Sequence, residues 1–146
     1  MKLHFETAIS LPFLEIKPKF DRELFAYLKP PAVEVEVERF DGCLKGDEIH
    51  LQIKLLGNKQ KWVSLITQEE TTDEHWLFVD EGKVLPWPIS SWRHIHKVQK
   101  VDEQNSKIID DITYECKPQS LGFFAAPMLW LSFAIRPYKY QQYFRK

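Results

Sequence analysis

A strict alternation of apolar and charged residues in the middle of the chain constrains the fold more than any other feature. In the segment AVEVEVERF, which begins at Ala32, Val33, Val35 and Val37 alternate with glutamates. A period of two places successive side chains on opposite faces of a half-buried strand. The segments EIHLQIKLL, KWVSLITQ and HWLFVDE continue this alternation or are rich in β-branched and aromatic residues. Consecutive strands joined by short turns predict an antiparallel sheet.

Two later segments extend this sheet as a hairpin. SWRHIHKVQKV and SKIIDDITYEC flank a polar turn within residues 102–105. A turn of residues 102–104 places His96 opposite Asp110, whereas a turn of residues 103–105 places His96 opposite Ile112 and leaves Asp110 as a diagonal neighbour. Both registers permit contact between His96 and Asp110, because diagonal neighbours in a sheet are within reach of long side chains.

Prolines and a capping residue define short elements near the N-terminus. Residues 2–10 alternate weakly and predict a first strand. Pro12 and Pro18 leave room after it only for a short helical turn. Asp21 is a favoured N-cap residue and predicts a second short helix, which ends before Pro30.

The C-terminal segment, residues 122–146, predicts one long helix with a kink at Pro137. No repeat or low-complexity linker divides the chain, so residues 1–146 are expected to form a single domain. Strands followed by a terminal helix indicate the α+β class. The long helix is the one element able to cover the inward face of a curved sheet.

Composition and charge narrow the classes of function. The chain has 20 basic and 21 acidic residues, and a net charge of −1 argues against a nucleic-acid partner. Residues 121–135 are too few to span a bilayer and the N-terminus has no signal-peptide pattern, so we expect a cytoplasmic protein without a membrane span. Cys43 and Cys116 lack a CxxC spacing and are expected to be thiols, with a single bridge as the alternative. Twenty aromatic residues indicate either a bulky core or a lined cavity.

The second half of the chain carries a succession of motifs: HWLFVDE, a proline-containing loop, WRHIHKV, IIDDITYE, and an LG pair that opens a helix ending in YFRK. Over residues 74–146 this succession resembles the SRPBCC ligand-binding superfamily, which comprises START-like and birch-pollen-allergen-like proteins. It is most similar to bacterial members whose ligand is undefined. The matching positions are Phe78, Val79, Asp80, Glu81, Trp92, His94, His96, Asp110, Tyr114, Leu121, Gly122, Phe144 and Arg145.

The resemblance implies a helix-grip fold. In that fold about seven antiparallel strands grip a long C-terminal helix, and two short helices follow the first strand. An apolar cavity between sheet and helix takes lipids, polyketides, aromatic metabolites or other hydrophobic small molecules.

The segment WRHIHKV contains the side chains best suited to ligand binding or catalysis. Alternation puts Trp92, His94 and His96 on the face that points toward the interior, and Asp110 lies in the apolar face of the following strand. A buried imidazole beside a carboxylate can be a structural pair, a polar anchor for a ligand or an acid–base pair. Ligand anchoring is the functional role that we expect, and His96 with Asp110 are the candidate catalytic residues if the protein is an enzyme.

A metal site is an alternative interpretation of the same residues. His94 and His96 share a face two residues apart, and a third ligand would have to come from Asp80, Asp110 or Glu6. The chain has neither an HExxH motif nor a cysteine-rich spacing. We therefore expect no metal and no other cofactor. Asp80 is interpreted as a solvated acid at the end of a strand.

The expected function is the binding of a hydrophobic small molecule in the cavity. The side chains predicted to line it are Trp62, Phe78, Trp92, His94, His96, Tyr114, Phe124 and Met128. Relatives by fold include cyclases and dehydratases of polyketides, so an enzyme that uses the His96–Asp110 pair is one alternative. The helix from residue 122 has too many apolar residues for one stripe, so an interaction module or a homodimer that uses this helix is another.

Overall fold

The computed structural model describes residues 1–31, 33–55 and 57–145. Ala32, Leu56 and Lys146, which belong to predicted elements, lie outside the described residues. The strands are β1 (Lys2–Ile9), β2 (Glu34–Phe40), β3 (Glu48–Leu55), β4 (Asn58–Thr71), β5 (His75–Val84), β6 (Ile89–Lys100) and β7 (Ser106–Cys116). The α-helices are α1 (Phe13–Ile16), α2 (Arg22–Tyr27), α3 (Gly122–Ala134) and α4 (Arg136–Phe144). The predicted α+β class and the two short helices after the first strand are confirmed.

The seven strands form one antiparallel sheet in the order β1-β7-β6-β5-β4-β3-β2. Each strand from β2 to β7 pairs with its neighbour in sequence, and β1 closes the sheet against β7. In the β6–β7 hairpin His96 lies opposite Asp110, which is the register predicted for a turn of residues 102–104. The loop itself is longer, because pairing ends at Lys100 and Ser106.

Irregular pairing accompanies the curvature of the sheet. The register shifts twice in β4, between Val63 and Ser64 and between Ile66 and Gln68. Further shifts lie in β2 and at the start of β6. An extra residue on one strand of a pair bends that strand and increases its twist. The long central strands thereby curve around the helices that cover them.

The predicted C-terminal helix is interrupted at Ile135, between α3 and α4. Pro137 has no backbone N–H to bond the carbonyl four residues earlier, so the first helix ends and a second begins with proline in its first turn. The predicted kink is therefore a break between two helices. No helix in the described part of the chain is long and apolar enough to cross a membrane.

The buried apolar side chains fall into two groups, which we call the packed end and the cavity end. The packed end comprises Ile9, Phe13, Ile16, Phe20, Leu24, Leu28, Ile49, Ile66, Trp76, Phe78, Val98, Ile108, Tyr140 and Phe144. The cavity end comprises Trp62, Trp92, Ile112, Tyr114, Cys116 and Phe133. Helices α1, α2 and α4 cover the packed end, whereas α3 alone among the α-helices contributes to the cavity end. Both cysteines are free.

Helix α3 leaves much of its apolar surface uncovered. Phe123, Phe124, Trp130 and Leu131 are each more than half exposed. Helix α4, in contrast, buries Tyr140 and Phe144. The interaction module and the homodimer predicted for this segment stay predictions. Light scattering at high protein concentration would test the homodimer.

Candidate ligand-binding cavity

A cavity of about 390 Å³ lies between the sheet and helix α3. Side chains from β2 to β6, the β5–β6 loop and both C-terminal helices contribute to its lining. Most of these side chains are apolar, among them Val35, Leu51, Ile53, Leu129 and Phe133. The alternation of each strand explains this lining, because every second side chain of a strand points toward the covered face.

Two tryptophans form the middle of the cavity wall. The rings of Trp62 on β4 and Trp92 on β6 meet edge to face, with centroids 4.7 Å apart. Trp62 Nε1 donates a hydrogen bond to Ser64 Oγ, which also lies on the wall. Edge-to-face contact between aromatic rings stabilises such a wall beyond the area that it buries.

Four ionisable side chains, Asp80, His94, His96 and Asp110, form a buried group that we call the histidine–aspartate cluster. Each is at most 6% exposed. His94 Nε2 donates to Asp110 Oδ1 at 2.8 Å, and His96 Nε2 donates to Asp80 Oδ2 at 2.5 Å. The two imidazoles stack with their centroids 3.5 Å apart. Adjacent strands β5, β6 and β7 therefore bring two histidine–carboxylate pairs into direct contact.

The pairing within this cluster differs from the predicted one. His96 lies opposite Asp110 in the register, yet His96 Nδ1 and Asp110 Oδ1 are 3.8 Å apart and His96 bonds Asp80 instead. His94 bonds Asp110, its diagonal neighbour. Each histidine is therefore hydrogen-bonded to the carboxylate that is diagonal to it in the sheet.

The prediction for Asp80 was also wrong. Asp80 is buried within β5 and is not a solvated acid at a strand end. Its side chain shares a face with Trp76 and Phe78, which are both buried, and this alternation was the signal for its inward orientation. Glu6, which was considered as a metal ligand, is exposed on β1 and pairs with Lys107.

Arg136 also lies at the polar end of the cavity. No sequence motif pointed to this residue. Its Nη1 lies 3.4 Å from Asp110 Oδ1, and its guanidinium lies 4.4 Å from the centroid of the Phe133 ring. The side chain is 14% exposed and lines the cavity. The only signal in the sequence is that Arg136 is the first charged residue after the uncharged run of residues 118–135.

Burial and charge set the protonation of the cluster. Burial and the neighbouring His96 together lower the pKa of His94 to about 4, against the opposing hydrogen bond to Asp110. Burial would raise the pKa of Asp110, but the hydrogen bond from His94 and the charge of Arg136 outweigh it and hold the pKa at about 2. Burial would also raise the pKa of Asp80, but the hydrogen bond from His96 and the neighbouring imidazoles outweigh this effect. The pKa of Asp80 is therefore lowered. At neutral pH His94 is therefore an uncharged imidazole between two carboxylates.

The eight residues predicted to line the cavity separate into two sets. Trp62, Trp92, His94, His96, Phe124 and Met128 line it. Phe78 and Tyr114 are 0% and 1% exposed and lie in the core. Phe78 stacks on His96 with a centroid distance of 4.3 Å, and the rings of Tyr114 and Trp92 are 6.1 Å apart. These two aromatic rings support the wall without forming its surface.

Comparisons with known proteins bear on the fold. No family model and no curated protein matches the chain. A protein from Arthrobacter aurescens solved by NMR is 13% identical with a TM-score of 0.63, and the match covers 93% of this chain and 80% of that one. The di-domain ARO/CYC BexL from the BE-7585A biosynthetic pathway is 14% identical with a TM-score of 0.61, over 97% of this chain and 45% of that one.

A third solved structure is norcoclaurine synthase from Thalictrum flavum in complex with dopamine and hydroxybenzaldehyde. It is 15% identical with a TM-score of 0.57, and the match covers 92% of this chain and 86% of that one. Sequence identities this low support a conclusion about the fold alone. The protein has the helix-grip fold that its resemblance to the SRPBCC superfamily implied.

Proposed function

We propose that the protein binds a mainly apolar small molecule in the cavity, with a polar group of the ligand at the histidine–aspartate cluster. The observation that carries this proposal is an apolar cavity of about 390 Å³ whose wall includes Asp80, His94 and His96. Ligand pockets commonly measure about 300–1,000 Å³ and combine apolar walls with a few polar groups. A cavity of this size and composition matches a lipid fragment, a polyketide or an aromatic metabolite.

The packing of the cavity wall supports binding over a purely structural role. Core side chains normally fill their space, and voids larger than a water molecule are few in a domain of this size. Here Leu51, Ile53 and Trp62 border empty volume. The fold that the protein shares with norcoclaurine synthase, which was solved with dopamine and hydroxybenzaldehyde, and with the ARO/CYC protein BexL lends further support to a cyclic or aromatic ligand.

The fluorescent probe ANS, an aromatic sulfonate, tests the proposal directly. Ala125 lines the cavity and its neighbour Ala126 does not, although both lie in α3 and are half-buried. Ala125→Phe should fill part of the cavity and weaken ANS binding about tenfold, which corresponds to about 1.4 kcal/mol. Ala126→Phe is the matched control and should bind ANS like the unmodified protein.

Equal binding by both variants, or no saturable binding to the unmodified protein, would sink the proposal. Native mass spectrometry of freshly purified protein then addresses the identity of the ligand. A retained small hydrophobic mass that is absent from Ala125→Phe would name the natural occupant.

Catalysis of the cyclase type is the second candidate function, favoured by the state of His94. Because the Nε2–H of His94 donates a hydrogen bond to Asp110, its Nδ1 keeps a free lone pair and can accept a proton from a bound substrate. The base of such an enzyme would thus be His94, paired with Asp110, and not the predicted His96. His94→Ala should abolish turnover of a substrate while leaving its binding within about threefold. Loss of binding together with turnover would indicate an anchoring role instead.

A further inference from the structure

We propose that Asp80, His94 and His96 form a binding site for a divalent first-row transition metal ion such as Zn²⁺, with Asp110 holding the imidazole of His94 from behind. Imidazole nitrogen and carboxylate oxygen are ligands that Zn²⁺ accepts, and three protein ligands with one open position are typical of catalytic zinc sites. This inference does not depend on the proposed function, because metal binding is measured with no organic ligand present.

The distances within the cluster suit a metal ion with small adjustments. One ligand atom from each of the three residues lies within 4.8 Å of the other two. Asp80 Oδ2 is 2.5 Å from His96 Nε2 and 3.8 Å from His94 Nδ1. Ligand bonds of about 2.0–2.2 Å in a tetrahedron place ligand atoms roughly 3.3 Å apart. Each of these two separations therefore has to change by less than about 1 Å, and the separation of the two ring nitrogens, which is at most 4.8 Å, by up to about 1.5 Å.

The hydrogen bond of His94 leaves the correct nitrogen free. A carboxylate only accepts, so the proton between His94 Nε2 and Asp110 Oδ1 belongs to the imidazole. A neutral His94 then keeps a lone pair on Nδ1, which lies 3.8 Å from Asp80 Oδ2. Histidines that bind metals usually donate their other ring N–H to a carboxylate, which fixes the tautomer and the ring orientation. Asp110 already makes this contact.

The unpaired nitrogen of His96 is the second independent observation. His96 Nδ1 is buried and has no hydrogen-bond partner among the described residues. A metal ion on Nε2 must displace the proton from that nitrogen, so the bound imidazole carries its proton on Nδ1. This Nδ1 lies 3.8 Å from Asp110 Oδ1, the same oxygen that His94 bonds. That separation is too long for a hydrogen bond, so the Asp110 carboxylate must shift toward His96 before it can accept from the Nδ1 of the metal-bound ring.

The position of the cluster leaves one coordination site for a small molecule. Asp80, His94 and His96 line the cavity, whereas Asp110 does not. An ion held by the first three residues would face the cavity with its open position. That position suits water or an oxygen donor of a ligand, such as a carboxylate or phenolate.

Calorimetric titration of the tag-free protein with Zn²⁺ tests the site. We expect one ion per chain, and at least a hundredfold weaker binding after His94→Ala, His96→Ala or Asp80→Ala. His50 and His75 provide matched controls, because each forms a surface pair with a glutamate at 2.9 Å. His50→Ala and His75→Ala should bind Zn²⁺ like the unmodified protein. Absence of stoichiometric binding, or loss of binding in these controls, would overturn the proposal.

A measurement on the unmodified protein covers the case in which the cluster variants do not fold. The chain has 5 histidines, so the ring nitrogens can be resolved in ¹⁵N-edited NMR spectra. Added Zn²⁺ should shift His94 Nδ1 and His96 Nε2 and leave the proton of His96 on Nδ1 only. Unchanged signals from both imidazoles, or shifts confined to His4, His50 and His75, would contradict the site. Failure of ANS binding would leave this result unaffected.

Discussion

The packed end and the cavity end of the sheet use the same kinds of residues in opposite ways. At the packed end, α4 buries Tyr140 and Phe144 against strands and short helices. At the cavity end, α3 leaves Phe123 and Phe124 88% and 78% exposed and borders empty volume. Aromatic side chains contribute most to stability where they are fully packed. The packed end therefore stabilises the domain, while the cavity end leaves apolar surface uncovered.

The histidine–aspartate cluster lies where these two regions meet. Phe78 of the packed end stacks on His96, and Phe133 of the cavity end contacts His94 edge to face with centroids 5.5 Å apart. Buried charges contribute little to stability compared with apolar packing, unless every partner is present. The cluster contacts side chains of both ends, and the two ends should respond differently to substitution.

The largest effect is expected where the two ends meet. Asp110→Ala removes the partner of His94 and Arg136 and leaves buried polar groups unpaired, so the free energy of unfolding should fall by about 3–5 kcal/mol. The neighbouring Asp111, whose side chain is 47% exposed, is the matched control. Asp111→Ala should change the free energy of unfolding by less than about 0.5 kcal/mol. Urea denaturation with a chelator present measures both, and equal effects would show that the cluster does not stabilise the fold.

The next largest effect is expected from an isoleucine-to-alanine substitution at the packed end, with the same substitution at the cavity end for comparison. Ile66 at the packed end is 0% exposed, so Ile66→Ala should lower the free energy of unfolding by about 3 kcal/mol through lost burial and a new cavity. Ile53 already borders the cavity, and Ile53→Ala should cost about 1 kcal/mol or less. Urea denaturation compares the two variants. A larger loss for Ile53→Ala would mean that the cavity end is packed in solution.

Acid should weaken the fold through the cluster. The pKa of His94 is about 4 in the folded protein and 6.5 in an ordinary environment. Below pH 6.5 the unfolded chain gains a proton that the folded chain does not bind, so stability falls as the pH is lowered toward 4. The loss for this group is about 3 kcal/mol at most. Chelator-treated His94→Leu should lose less stability than the unmodified protein between pH 6.5 and 4. Equal slopes in urea denaturation would contradict the burial of a neutral His94.

The smallest effect is expected at the mouth of the cavity. Phe124 lines the cavity, whereas its neighbour Phe123 does not. Phe124→Ala should weaken ANS binding about three- to tenfold, and Phe123→Ala should leave it unchanged. Both variants should keep their stability within about 0.5 kcal/mol because both rings are exposed. Equal losses of affinity would indicate that ANS binds the outer surface of α3.

Local patterns were enough to predict the sheet, because alternation in each strand and prolines between elements are properties of short segments. The register of β6 and β7 was one of two predicted alternatives, and the inward orientation of Trp92, His94 and His96 followed from alternation within β6. The pairing of His94 with Asp110 could not be predicted, because it depends on how the rings stack within a curved sheet. Arg136 lies at the start of α4 and contacts Asp110 on β7, a long-range contact that no motif in the sequence indicates.

The most direct test uses three buried tryptophans that differ in where they lie. Trp62 and Trp92 form the cavity wall, and Trp76 belongs to the packed end. The protein has 5 tryptophans, so their indole N–H signals can be resolved in a ¹H–¹⁵N NMR spectrum. Saturating ANS should shift the signals of Trp62 and Trp92 and leave that of Trp76 in place. A shift of Trp76 without the other two, or no shift of Trp62 and Trp92, would contradict binding in the cavity.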